Sequence, residues 1–208
     1  MMRHTTITFE EKFMAHCREK KFFSKNDRVL LAVSGGMDSI AMSYLISTLQ
    51  REFKIDIGIA HLNHSLRGAS SDRDELFVRK FALLHRYPFH HKKIEVRKRA
   101  KLSKTSIEEE ARNLRYAFLE KLAQQHGYNK ICTAHHSGDQ AETVLMRIIK
   151  GAGLSGLSGI REKRGLFVRP LLIFSKEDIR KYVQKKGIKY VEDFSNRDSV
   201  FLRNRIRH

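Results

Sequence analysis

Apolar positions along this chain change rhythm several times. Among the charges of residues 8–22, Phe9, Phe13, Met14 and Phe22 recur at the spacing of an amphipathic helix. Residues 29–33 form a short apolar run without alternation, as a strand covered on both faces reads. Helical period follows over 39–51. A second buried strand is predicted over 55–62, then a helix over 71–85 with Leu76, Phe77, Phe81, Leu83 and Leu84 as core candidates. Residues 89–96 predict a third strand. Ser106 with Glu109 three residues on is a capping-box signature, opening a long helix that ends at Gly127. Residues 131–134 read as a fourth strand, and 140–150 and 175–186 as helices. Strands alternating with helices predict an α/β fold: a Rossmann-like, doubly wound parallel sheet with helices on both faces and right-handed crossovers.

Composition narrows the class. A chain of 208 residues suits one large α/β domain, here with an N-terminal helix in 1–24 and a glycine-rich and basic segment in 150–208. With 41% hydrophobic and 31% charged residues it is globular. The sequence holds no apolar stretch of bilayer-spanning length, and the first twenty residues lack a signal peptide's apolar block. Cys17, in what reads as a surface helix, and Cys132, in a buried strand, make no CxxC, so a reducing cytoplasm and no membrane partner are expected. Lys and Arg total 41 against 23 Asp and Glu, a net +18 that points to a polyanion, most often nucleic acid. The basic clusters at 86–104, 161–169, 176–189 and 197–208 predict a broad footprint rather than one tail. Five glycines in 151–165 predict a mobile or phosphate-hugging loop, and the basic run ending at His208 reads as leading into further C-terminal domains.

The run LLAVSGGMDSIAMSYL (30–45) carries the first chemistry. In an open parallel sheet ligands bind beyond the carboxyl ends of the strands, where Ser34, Gly35 and Gly36 fall. Glycines let the main chain approach an anion, and the helix that follows offers unpaired N–H groups and a positive dipole end. Ser34 and Ser39 add hydroxyls. A carboxylate beside a phosphate site repels it unless a cation intervenes, which assigns Asp38 to magnesium; the bland reading of Asp38 is a helix cap. The Walker pattern GxxxxGK[ST] and GxGxxG are both absent.

SGGMDS matches the SGGxDS signature of the PP-loop, or N-type ATP pyrophosphatase, superfamily. AHLNHSLRG (60–68), EEARNLRY (109–116), TAHHSGDQAET (133–143), KGAGLSGLSGI (150–160), VRPLL (168–172), VEDFSN (191–196) and RNRIRH (203–208) follow in order. Together, over about residues 25–208, they resemble the N-terminal catalytic domain of the tRNA(Ile)-lysidine synthetase family. The resemblance implies the adenine nucleotide alpha hydrolase-like fold, with ATP and magnesium as cofactors. It also implies that free L-lysine is joined to the wobble cytidine of tRNA(Ile) with a CAU anticodon, through an adenylylated cytidine, with AMP and pyrophosphate leaving.

The resemblance also sorts the candidate residues. ATP falls to Ser34, Gly35, Gly36, Asp38 and Ser39, with Ala60 and His61 at the strand end where adenine would lie; an ordinary strand end is the bland reading. Asp38, Arg112, His135 and Asp139 are the catalytic candidates. Arg112 and Arg115 lie three apart on one helix and project together, for phosphates or for an ion-pair network with Glu108, Glu109 and Glu110. Asp139 would hold the lysine ammonium or take its proton, and His135 would orient phosphate or cytosine. Arg67, Arg115, Arg169, Arg203, Arg205 and Arg207 are the tRNA candidates. His61, Asn63 and His64 lack the further ligands a metal needs; His135 and His136 with Asp139 and Glu142 could hold zinc, but the HExxH order and a thiolate set are absent. Two alternatives stay open: a tRNA thiolation enzyme of the same superfamily, whose chemistry needs more thiols than Cys17 and Cys132 supply, and a metabolite amide synthetase, which does not call for +18.

Overall fold

The computed structural model describes residues 7–149, Gly151 and 158–192. In chain order the elements are α1 (Phe9–Glu19), β1 (Arg28–Ala32), α2 (Met37–Phe53), β2 (Asp56–Asn63), α3 (Ala69–Leu84), β3 (Phe89–Lys93), α4 (Val96–Ser103), α5 (Ile107–His126), β4 (Lys130–Cys132), α6 (Ser137–Ile149), β5 (Lys163–Arg164), β6 (Phe167–Val168) and α7 (Lys176–Lys186). One sheet runs β3-β2-β1-β4-β6-β5. All its neighbours are parallel except β5, which returns antiparallel to β6 with Arg164 opposite Phe167. This hairpin lies in the 161–169 basic stretch, where an exposed Lys-Arg pair carries no strand signal.

The unbroken apolar run of β1 has its cause in two covered faces. Val29 and Leu31, with Ile57 and Ile59 of β2, join a core closed by α1, α2, α3 and α7. Leu30, Ala60, Ile131 and Phe167 point the other way, onto Leu119, Leu122 and Ala123 of α5. Helices therefore lie on both faces of the sheet, as the alternation of elements predicts.

Local chemistry sets most helix ends. Ser106 accepts from the Glu109 N–H at 3.1 Å, and α5 stops at Gly127 with φ 68°. Ser175 caps α7 by accepting from the Asp178 N–H. Thr8 and Glu11 form a complete capping box on α1 that the sequence reading passed over.

Three features differ from expectation. Leu76, Leu83 and Leu84 are 50%, 78% and 77% exposed, whereas Ser71, Asp74, Val78, Phe81 and Ala82 form the buried stripe of α3. Two polar members of that stripe hide its phase from a count of apolar positions. Cys17 is fully buried rather than on a surface helix, because α1 is closed over by the core around α2. The helix α4 was not anticipated, since Val96 and Ala100 are its only buried residues in a basic stretch.

The sheet order fixes where a site forms. From β1 the chain builds outward through β2 to β3, then crosses back to place β4 on the other side of β1. The carboxyl ends of β1 and β4 thus flank the reversal point of a doubly wound sheet, where a crevice opens.

Candidate active site

The segment after β1 is a glycine bend locked from within. Ser34 N–H donates to Ser39 Oγ (3.2 Å), Ser39 Oγ donates to the Gly36 carbonyl (2.9 Å), and Gly36 N–H donates to Ser34 Oγ (3.3 Å). The two serines expected to reach a ligand therefore hold the loop's shape, and Ser39 is buried. Gly35 has φ 98°, and a Cβ there would sit 3.4 Å from Val78 and 3.5 Å from Val191 side-chain carbons. Its carbonyl accepts from the Val191 N–H at 2.9 Å, so the chain beyond α7 is stitched to the bend. Gly36 caps α2 with no side-chain bond to the first turn. Gly36 has no side chain with which to answer the N–H groups of that turn.

Asp38 stands in this first turn, and across the crevice the segment after β4 meets it. His136 is buried, with Nε2 3.8 Å from an Asp38 oxygen and 3.8 Å from an Asp139 oxygen. Its Nδ1 accepts from the Gly138 N–H at 3.0 Å, which leaves the ring proton on Nε2, between the two carboxylates. A Cβ on Gly138 would come within 2.8 Å of the His136 ring, so the close turn needs glycine. Asp139 also accepts from the His136 N–H (3.0 Å), fixing the entry to α6. Sequence reasoning put His135 among the catalytic residues and passed over His136; the adjacent pair was visible, but which ring turns toward Asp38 was not.

His135 is neutral. Burial lowers its pKa to about 3, against the pull of Asp139 and with help from the positive charges of Arg115, Arg169 and Arg112. Its Nδ1 lies 2.9 Å from Thr133 Oγ1. Those arginines gather on Tyr116: Arg112 is 5.0 Å and Arg115 5.9 Å from its ring centroid, and Arg169 Nη2 donates to its hydroxyl at 3.3 Å. Burial works to raise the Tyr116 pKa, but the Arg169 hydrogen bond and the arginine charges outweigh it and lower it. Arg169, a candidate RNA contact, is only 3% exposed. Its Nη1 donates to the Arg161 carbonyl, and its buried Nε has no hydrogen-bond partner among the described residues. The fold thus aims Arg169 at this cluster instead of at open solvent. Glu110, offered as an ion partner for the arginines, accepts instead from Ser103 and Thr105.

Ala60 and His61 lie level with the end of β1. The Ala60 carbonyl accepts from the Val33 N–H (2.9 Å), and His61 Nδ1 donates to the Val33 carbonyl (2.8 Å). They brace the root of the glycine bend. Burial lowers the His61 pKa, and burial followed by the charge of Arg115 takes His64 down to about 4. Asn63 ties β2 to Asp72 and Glu75 of α3 rather than to a metal. Arg67 pairs with Asp74. Arg203, Arg205 and Arg207, and most of the glycine-rich segment 151–159, lie outside the described residues. Among the described residues no three of His, Cys, Asp and Glu form a metal cage. Magnesium, however, takes one or two carboxylates together with phosphate oxygens and water, and Asp38 and Asp139 on either side of His136 fit that donor set.

The sequence pattern of the PP-loop domain matches residues 5–208, spanning every element described. The chain belongs to the PP-loop domain family. Among its relatives, the tRNA(Ile)-lysidine synthase of Geobacter sulfurreducens is 42% identical over 200 residues, covering 95% of this chain and 42% of that protein. The synthase of the same name from Chlorobaculum tepidum is 41% identical, covering 95% and 61%. The chain thus spans about two to three fifths of these curated relatives. Two solved structures share the PP-loop fold at 17% identity. The U34-tRNA thiolase NcsA of Methanococcus maripaludis has a TM-score of 0.72, covering 88% of this chain and 65% of that one. The NH3-dependent NAD synthetase of Campylobacter jejuni has a TM-score of 0.56, covering 88% and 77%.

Proposed function

We propose that this chain is the ATP-using part of a cytoplasmic tRNA(Ile)-lysidine synthase. It joins free lysine to the wobble cytidine of a CAU-anticodon tRNA and releases AMP and pyrophosphate. The observation that carries this reading is the meeting, across the β1–β4 crevice, of an open helix N-terminus with Asp38, His136 and Asp139, beside three arginines on one tyrosine. The identity of about 40% to synthases of that name supports the choice of substrate.

In this reading the glycine bend and the first turn of α2 bind the ATP phosphates, with Ala60 and His61 placed toward the adenine. Asp38 would hold magnesium, which would supply positive charge beside the phosphates. Arg112, Arg115 and Arg169 hold the negative charge that develops as the cytosine oxygen attacks the α-phosphorus and the bond to the departing pyrophosphate breaks. The lysine ε-amine, with a pKa of about 10.4 in water, then loses a proton and attacks the ring carbon, and AMP leaves. His135, neutral and a weak base with its pKa near 3, orients a reactant rather than taking that proton. Asp139 takes it. The RNA lies across the basic rim; Arg67 and the C-terminal arginines are its candidate contacts. Thiolation is disfavoured by this chain's own thiols, since burial raises both the Cys17 and the Cys132 pKa and keeps them protonated.

Incubation with ATP, magnesium and radiolabelled lysine, with and without tRNA, tests the reading. Label fixed only when the tRNA carries a CAU anticodon is the expected result. Label-free tRNA together with pyrophosphate release driven by another acceptor would replace the lysine reading with a different PP-loop reaction.

A further inference from the structure

The basic stretch 86–104 has no part in the site just described. Residues 92–104 hold seven lysines and arginines and one glutamate. The helix α4 turns Val96 and Ala100 inward and leaves Arg97, Lys98, Arg99 and Lys101 exposed. Lys98 pairs with Glu95, and Lys93 on β3 pairs with Asp72. Arg97, Arg99, Lys101 and Lys104 have no ion pair among the described residues. A solvated surface commonly alternates its charges; here cations occupy most of the exposed arc of one short helix.

The position of α4 gives this charge a direction. β3 is parallel to β2, so α4 starts from the same rim of the sheet as the glycine bend. Its entry is sewn to the turn after β2: Ile94 N–H donates to the Asn63 carbonyl at 2.8 Å and Val96 N–H to the His64 carbonyl at 3.4 Å. Its exit is sewn to α5, because one Glu110 oxygen accepts from Ser103 (3.0 Å) and Thr105 (3.2 Å). Glu110 therefore braces the elbow. Two turns beyond that elbow α5 carries Arg112 and Arg115. A row of cations thus starts from the rim that carries the reacting centre and is anchored to α5.

We propose that α4 is a docking ridge for the phosphate backbone of the RNA substrate, holding the strand flanking the target nucleotide while the crevice between β1 and β4 takes the base. The proposal rests on the RNA-directed reading above and adds where the strand runs. Guanidinium and ammonium groups without acidic partners contact phosphates independently of sequence, so the ridge positions and does not select.

The test is binding of the 208-residue chain to an anticodon stem-loop RNA across a salt series. In the triple variant R97Q/R99Q/K101Q, affinity at low salt falls at least tenfold. The slope of log K against log salt becomes shallower by about 2, since each lost phosphate contact removes about 0.7–0.9. The charge-keeping pair R97K/R99K retains the parent slope, which separates charge from folding. Nucleotide affinity, read separately, stays that of the parent. An unchanged RNA slope in the triple variant, or loss of binding to phosphatidylglycerol vesicles with RNA binding intact, overturns the ridge. So does a parent chain that binds no RNA. Failure of lysine incorporation alone leaves the slope measurement standing, and so tells against the reaction and not against the ridge.

Discussion

Two helix starts in this molecule are built in opposite ways. α5 begins at Ser106, whose hydroxyl accepts from the Glu109 N–H, with Glu108, Glu109 and Glu110 in the positive first turn. α2 begins at Gly36, with no side-chain bond and Asp38 as the one acid in its first turn. The start of α5 is completed by its own sequence. The start of α2 lies at the rim where β1 and β4 diverge, and the adjacent serines bond one another and the Gly36 backbone. A helix dipole and unpaired N–H groups cost stability unless something answers them. In α5 the protein answers; in α2, on the proposed function, a phosphate does.

The contrast can be broken experimentally, and the largest effect is expected at the open start. Asp38→Asn lowers pyrophosphate release by about a hundredfold or more, by analogy with the loss of one preorganised electrostatic group. The melting temperature changes little, so a parallel loss of both would deny the residue its functional role. Gly35→Ala forces a Cβ onto φ 98° beside Val78 and Val191. It costs about 1–3 kcal/mol by denaturant titration, whereas Gly36→Ala, with φ −71° and its closest contact at 3.5 Å, is far milder. Equal costs at the two glycines would remove the conformational argument.

The third effect is pH-dependent. The His135 pKa is depressed from its usual value to about 3, so the unfolded chain binds a proton that the folded one refuses. The stability this gives is full above about pH 6.5 and is lost as pH falls toward 3. The parent chain therefore loses melting temperature on acidification more steeply than His135→Asn does; parallel curves would contradict a neutral, half-buried imidazole. The smallest effect belongs to the closed start. Ser106→Ala costs about 1 kcal/mol of stability and leaves pyrophosphate release at saturating ATP unaltered.

Much of this was legible in the residues. The apolar runs at 29–33 and 55–62, the glycine after α5 and the serines before α5 and α7 located their elements to within a few positions, because those signals are local. α3 was read out of phase because Ser71 and Asp74 are buried in its stripe, and α4 was missed because its packing rests on Val96 and Ala100 alone. The glycine bend and Asp38 were placed after β1, and His135 and Asp139 after β4, at the carboxyl edge of the sheet, and that is where they lie. The inward turn of Arg169 and the place of His136 between two carboxylates were not visible.

By itself the sequence determined most of the segments that form strands and helices, where a glycine bend with an acid follows a buried strand, and that the chain is cationic. Period, capping and composition are properties of a chain read a few residues at a time. Tertiary structure alone decided which of two adjacent histidines faces Asp38, that an arginine fifty-three positions from Tyr116 bonds its hydroxyl, and that both lie beside the same crevice. Those relations depend on the order in which strands assemble and on which atoms burial leaves without water, and neither is written in any local stretch.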